Sequence, residues 1–106
     1  YPPSDPKSKP VRDELIAKFR NASCLVVLVG DSTYQSDWVN WEITTFFDLK
    51  YPLDGDDTWK RIRAMRLKGC EGAPLPPALY AAAGISRSTQ ALDWDPEALS
   101  RWLDSK

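Results

Sequence analysis

The chain has 106 residues, 14 basic and 15 acidic, for a net charge of -1, which at about 100–200 residues per domain is one domain. Hydrophobic residues at 42% and charged residues at 27% exclude disordered and fibrous classes, and about two-thirds of the unfolded surface is buried on folding, enough for a modest core. The balanced charge provides no field to recruit nucleic acid or anionic lipid, and no apolar run nears the ~18 residues of a membrane span.

Histidine is absent. Ser-His-Asp and Cys-His catalysis are therefore excluded, as are the common His-containing zinc sites. Cys24 and Cys70 are too few for a disulfide scaffold or a Cys-only zinc site. No metal site is expected. Any enzyme here works with carboxylates, hydroxyls, amides and aromatic walls. Tyr1 opens the sequence with no signal-peptide pattern, the expectation for a cytoplasmic protein or for a trimmed one.

Tyr1–Lys9, rich in proline and charge, reads as a loop. Ser8 can cap a helix that carries Pro10 in its first turn, and Val11, Leu15, Ile16 and Phe19 recur at helical spacing, which predicts an amphipathic helix over Pro10–Asn21. Cys24–Val29 is continuously apolar and rich in β-branched residues, and ends at Gly30. Such a run predicts a strand covered on both faces, hence a parallel sheet. Gly30-Asp31-Ser32-Thr33 forms a turn, and Ser36 or Asp37 caps the next helix, whose buried stripe is Val39, Ile43, Phe46 and Phe47. Pro52 marks its end. Asp54, Asp56 and Asp57 follow in an acidic loop that lacks the spacing and terminal Glu of a calcium loop.

Arg61–Leu67 predicts a second strand, with Ile62 and Ala64 alternating against Arg61 and Arg63. A loop with Gly69, Gly72, Pro74, Pro76 and Pro77 comes next, with a short turn at Ala78–Ala83. Thr89–Leu92 is a weak third strand. Asp95-Pro96 opens the last helix as N-cap and N1, with Trp94 placed to staple onto Leu99. The order helix–strand–helix–strand–strand–helix argues for an open α/β sheet. Cys24 and Cys70 then lie at opposite ends of strands about 17–20 Å long, beyond disulfide reach, and two free thiols are expected.

Ligands of open α/β sheets bind beyond the carboxyl ends of the strands. That edge holds Gly30, Asp31, Ser32 and Thr33, then Ser36-Asp37-Trp38-Val39-Asn40-Trp41-Glu42-Ile43. At about 100° per residue, Trp38 and Glu42 share a stripe bordering the apolar face, whereas Trp41 points further from it. Glu42 is thus expected to be partly desolvated, while the nearby helix start favours its ionised form. Read on spacing alone, Asp31 and Ser32 are turn and capping groups, Trp38 and Trp41 packing residues, and Arg61, Arg63, Arg66 and Lys68 a solvent face.

The strand Leu25–Gly30, the Ser32-Thr33 turn and the segment Ser36–Ile43 with its Trp-Val-Asn-Trp-Glu start resemble the TIR-like domains of bacterial defence, the Thoeris ThsB type. The later strand, the Pro-rich loop and the terminal helix from Trp94 to Trp102 fit that layout, so the resemblance covers most of the chain. It implies a flavodoxin-like open parallel sheet with helices on both faces. TIR-like domains open with a central strand and a helix ahead of the helix at Pro10–Asn21, and Tyr1–Lys9 contains no such strand. The resemblance therefore implies an N-terminally incomplete piece of a longer chain.

The same resemblance implies cleavage of the nicotinamide–ribose bond of NAD, by hydrolysis or by cyclisation or conjugation of the ADP-ribose, in antiviral signalling. Glu42 would be the catalytic carboxylate, with Trp38, Asp31 and Ser32 binding substrate. NAD is the substrate and no cofactor is implied. A homo-oligomer on activation and a downstream effector reached through a nucleotide signal are the implied partners, with neither nucleic acid nor membrane. Two other readings stand beside it. One is a non-catalytic TIR-type self-association or adaptor module, drawn from the same resemblance and from five Trp in a short chain. The other is a phosphoacceptor domain using Asp31 and Lys68, which would need an acidic pair before Cys24 that the sequence does not contain.

Overall fold

The computed structural model describes residues 1–49 and 60–104. Three parallel strands, β1 (Cys24–Val29), β2 (Arg61–Arg66) and β3 (Thr89–Leu92), lie in the order β1-β2-β3. Four α-helices surround them: α1 (Lys9–Asn21), α2 (Asp37–Asp48), α3 (Pro77–Ile85) and α4 (Pro96–Asp104). Single 3-10 turns precede α1 (Pro6–Ser8) and α2 (Thr33–Gln35). The sheet is parallel because each return to it runs through a helix or a long crossover. Helices flank both of its faces in a flavodoxin-like, TIR-like α/β arrangement.

Register explains which side chains reach the core. Leu25, Val27 and Val29 of β1 stand beside Ile62, Ala64 and Arg66 of β2. Val27, Val29, Ile62 and Ala64 join Phe19 of α1, Ile43, Phe46 and Phe47 of α2, and Leu79 and Ala82 of α3 in one cluster. Phe19 meets Phe46 edge to face with ring centroids 5.5 Å apart. The opposite face carries Val26, Leu28, Arg63 and Met65, partly covered by α4. There Trp102 lies under the guanidinium carbons of Arg61 at 4.6 Å and Arg63 at 4.7 Å from its ring centroid. The basic residues of β2 are thus divided, since Arg66 projects to the other side, donating to the Ala73 carbonyl and pairing with Asp93 at 3.4 Å.

Most of the predicted elements are present, with three corrections. The turn expected at Ala78–Ala83 is the nine-residue helix α3, started by Pro77 at its first position. Its apolar face packs on α2, and that burial turns a Pro-led, Ala-rich segment into a stable helix. Ser8 stands at the α1 N-cap without making a side-chain cap bond; its hydroxyl donates instead to the Pro2 carbonyl at 2.8 Å. The third correction concerns β1, which is parallel but not covered on both faces, for Leu28 is 53% exposed. The loop with Asp54, Asp56 and Asp57, and the Pro52 helix end, lie outside the described residues. Asp95 caps α4 as expected, accepting from the Ala98 N–H at 3.0 Å, and Cys24 and Cys70 are free thiols. No described helix is long and apolar enough to cross a membrane.

Candidate functional site

The link from β1 to α2 is built by short polar contacts. The Gly30 N–H donates to Thr33 Oγ1 at 2.8 Å, and the Ser36 hydroxyl accepts from the Val39 N–H at 3.2 Å. Ser36 is thereby the N-cap of α2, as one of two predicted candidates. Helix α2 then runs back across the sheet, seating Ile43, Phe46 and Phe47 in the core. Glu42, one residue before Ile43, borders that face and lines a cavity of about 140 Å³ with Leu25, Val26, Val27, Leu28 and Val39. Four consecutive residues of β1 can line one cavity only along the strand's open edge, so the carboxylate lies against that edge.

The cavity walls are apolar apart from backbone, and partial burial raises the Glu42 pKa above 4.5. Desolvation disfavours the carboxylate, and no described cation pairs with it to offset the effect. The partial desolvation expected from the helix border is present. The ionising influence expected from the helix start does not prevail against it.

The other proposed site residues lie elsewhere. Trp38 does not line the Glu42 cavity; its indole N–H donates to the Tyr1 carbonyl at 2.8 Å, and its ring meets Trp41 edge-on at 5.5 Å. Trp41, which the helical wheel placed further from the apolar stripe, packs against the core with its ring 6.5 Å from Phe19. It also lines a wide groove of about 600 Å³ with Pro2, Pro3, Ser4, Arg12 and Asp37. Arg12 holds that N-terminal segment by donating to the carbonyls of Pro3 and Asp5. Asp31 and Ser32 are exposed at the carboxyl end of β1. Asp31 lies beside Cys70, whose thiol pKa is raised, first by desolvation and then by the Asp31 charge. No cluster of three metal-ligating side chains occurs among the described residues.

Two residues that sequence reading passes over support the site. Asn40 joins α2 to its preceding turn and to α3: Nδ2 donates to the carbonyls of Tyr34 at 3.2 Å and Ser36 at 3.0 Å, while Oδ1 accepts from the Ala78 N–H at 3.0 Å. Lys60, 4% exposed, donates to the carbonyls of Phe19 at 2.6 Å and Arg20 at 3.3 Å, closing the carboxyl end of α1. Neither is legible locally, because their partners lie up to 41 residues away.

A family model described as Thoeris protein ThsB, TIR-like domain, matches residues 1–62, over half of the chain. The matched span runs through α1, β1 and α2 and so includes Glu42 and its cavity. No curated protein and no solved structure matches.

Proposed function

Because the chain belongs to the family of the Thoeris protein ThsB TIR-like domain, we propose that it cleaves the nicotinamide–ribose bond of NAD in antiviral defence, with Glu42 as the catalytic carboxylate. One observation carries this reading: a half-buried carboxylate without a cationic partner faces a small apolar cavity on the segment that the family model matches. Nicotinamide leaves NAD from a cationic pyridinium, so the leaving group needs no proton. The two-carboxyl arrangement of ordinary glycoside hydrolysis is then unnecessary. One carboxylate close to the ribose stabilises the positive charge that develops as the bond to nicotinamide breaks, and a low-dielectric wall strengthens that interaction. A chain without histidine is suited to this chemistry.

At about 140 Å³ the cavity is smaller than the ~300–1,000 Å³ of pockets that enclose a drug-sized ligand. It accommodates one ring of the substrate, with the remainder of the dinucleotide outside. Water or another part of the same substrate completes the reaction, giving hydrolysed, cyclic or conjugated ADP-ribose. Asp31 and Ser32, at the strand end, are candidates for ribose or phosphate contacts, and Trp38 could take part only if its bond to Tyr1 were exchanged. The test is nicotinamide release from NAD by the full-length protein, assembled and triggered, compared with Glu42→Gln. Loss of at least a hundredfold in the variant is expected, and wild-type turnover in Glu42→Gln refutes the assignment.

A self-association or adaptor role is favoured by one different observation. Leu28 is 53% exposed on the sheet face beside α4, where Trp94 and Leu103 are each 43% exposed. Apolar surface of this kind marks protein contacts. Concentration-dependent assembly that is lost in Leu28→Ser, with no NAD turnover at any concentration, would select this reading over catalysis.

A further inference from the structure

We infer that Asn40 is a positioning residue for the Glu42 site, clamping α2 in the roll that holds the carboxylate against the β1 edge; this rests on the reading of Glu42 as the catalytic group. At about 100° per residue, Asn40 and Glu42 stand some 200° apart on α2. One side of the helix is therefore fastened to its surroundings while the other carries the carboxylate to its cavity. The fastening uses every hydrogen-bonding direction that matters on the Asn40 amide. Its NH2 bridges the carbonyls of Tyr34 and Ser36, which close the turn leaving β1, and its oxygen takes the Ala78 N–H at the start of α3.

The Ala78 N–H is one of the donors that a helix start leaves without an intrahelical partner. Asn40 thus satisfies an orphan group of α3 and two carbonyls of the β1–α2 turn with one side chain. Aspartate could not do this, having no donor for the two carbonyls, and glutamine would place the amide one carbon too far. Apolar packing on Ile43 and Phe46 alone resists separation of α2 from the sheet, but it resists rotation about the helix axis less well, because dispersion and burial are non-directional. The three directional bonds of Asn40 supply that resistance.

The experiment uses the full-length protein and two variants, Asn40→Ala and Asn40→Ser. The serine hydroxyl retains a bond to the Ser36 carbonyl one turn back and loses the reach to α3, so it keeps part of the clamp if alanine does not fold. Carbon-13 carboxyl shifts of Glu42 are followed through a pH titration, and NAD turnover is measured on the same samples. In a folded variant the Glu42 midpoint is expected to fall toward 4.5 as water reaches the carboxylate. NAD kcat is expected to fall at least tenfold, with KM changing less than threefold. A Glu42 midpoint and kcat equal to wild type in either folded variant overturn the proposal. A displaced midpoint in a protein whose wild type shows no NAD turnover would retain the clamp and refute the catalytic reading, which separates the two failures.

Discussion

Replacing Lys60 by methionine tests whether a buried cation stabilises this fold or merely survives in it. Methionine keeps the length of the aliphatic stem and removes the charge and its donors. Three favourable contacts are lost: the short bond to the Phe19 carbonyl at 2.6 Å, the carboxyl end of α1, and the Phe46 ring with its centroid 5.3 Å from Nζ. A charge-assisted hydrogen bond contributes about 1.5–3 kcal/mol, a cation at a helix carboxyl terminus about 0.3–1, and a cation over an aromatic ring about 0.5–2. Against them stands the desolvation of an ammonium that is only 4% exposed, a cost of several kcal/mol. The carbonyl of Phe19 also keeps a bond from the Ala22 N–H at 3.2 Å in the variant, so it is not orphaned.

The balance is a loss of about 1–2 kcal/mol, or roughly 5–15 °C in Tm for a domain of this size. Thermal and urea unfolding followed by circular dichroism measure it. The pH dependence gives an independent sign. Burial lowers the Lys60 pKa from 10.5, so the folded state binds fewer protons than the unfolded one just below 10.5. Stability therefore rises with pH in that window, and the gap between wild type and Lys60→Met widens there. An equal or higher Tm for Lys60→Met at pH 7 would refute the reasoning, for desolvation would then exceed everything the ammonium contributes.

Two further outcomes are expected. Glu42 has a folded pKa raised above 4.5, so its stabilising contribution is complete below 4.5 and is lost as pH rises through the folded value; Glu42→Gln should match wild-type stability in acid and exceed it at neutral pH in parallel urea titrations, and a variant less stable at pH 7 contradicts the desolvation argument. Gly69 and Gly72 both have open space where a Cβ would stand, yet only Gly69 has a left-handed backbone, with φ of 87°. Gly69→Ala should therefore cost about 1–2 kcal/mol through backbone strain alone, while Gly72→Ala is neutral or stabilising by up to about 1 kcal/mol. Equal effects at the two positions would show that the turn relaxes around Gly69.

What the sequence alone determined is whatever depends on neighbours along the chain. The period of Val39, Ile43, Phe46 and Phe47, the unbroken apolar run Cys24–Val29, and the caps at Ser36 and Asp95 specify their elements because helix and strand geometry act over a few residues. Helix α3 escaped because the prolines before it advertise a loop as loudly as they advertise a helix start. The half-buried setting of Glu42 was legible too, since the residue beside a buried stripe must border it. Tertiary structure decided the rest. A helical wheel orders side chains around an axis but says nothing about what approaches each of them. Trp38 was taken by the carbonyl of Tyr1, 37 residues distant, and Trp41 by Phe19. Asn40 and Lys60 acquired their roles from backbone groups that only the folded chain brings within hydrogen-bonding distance.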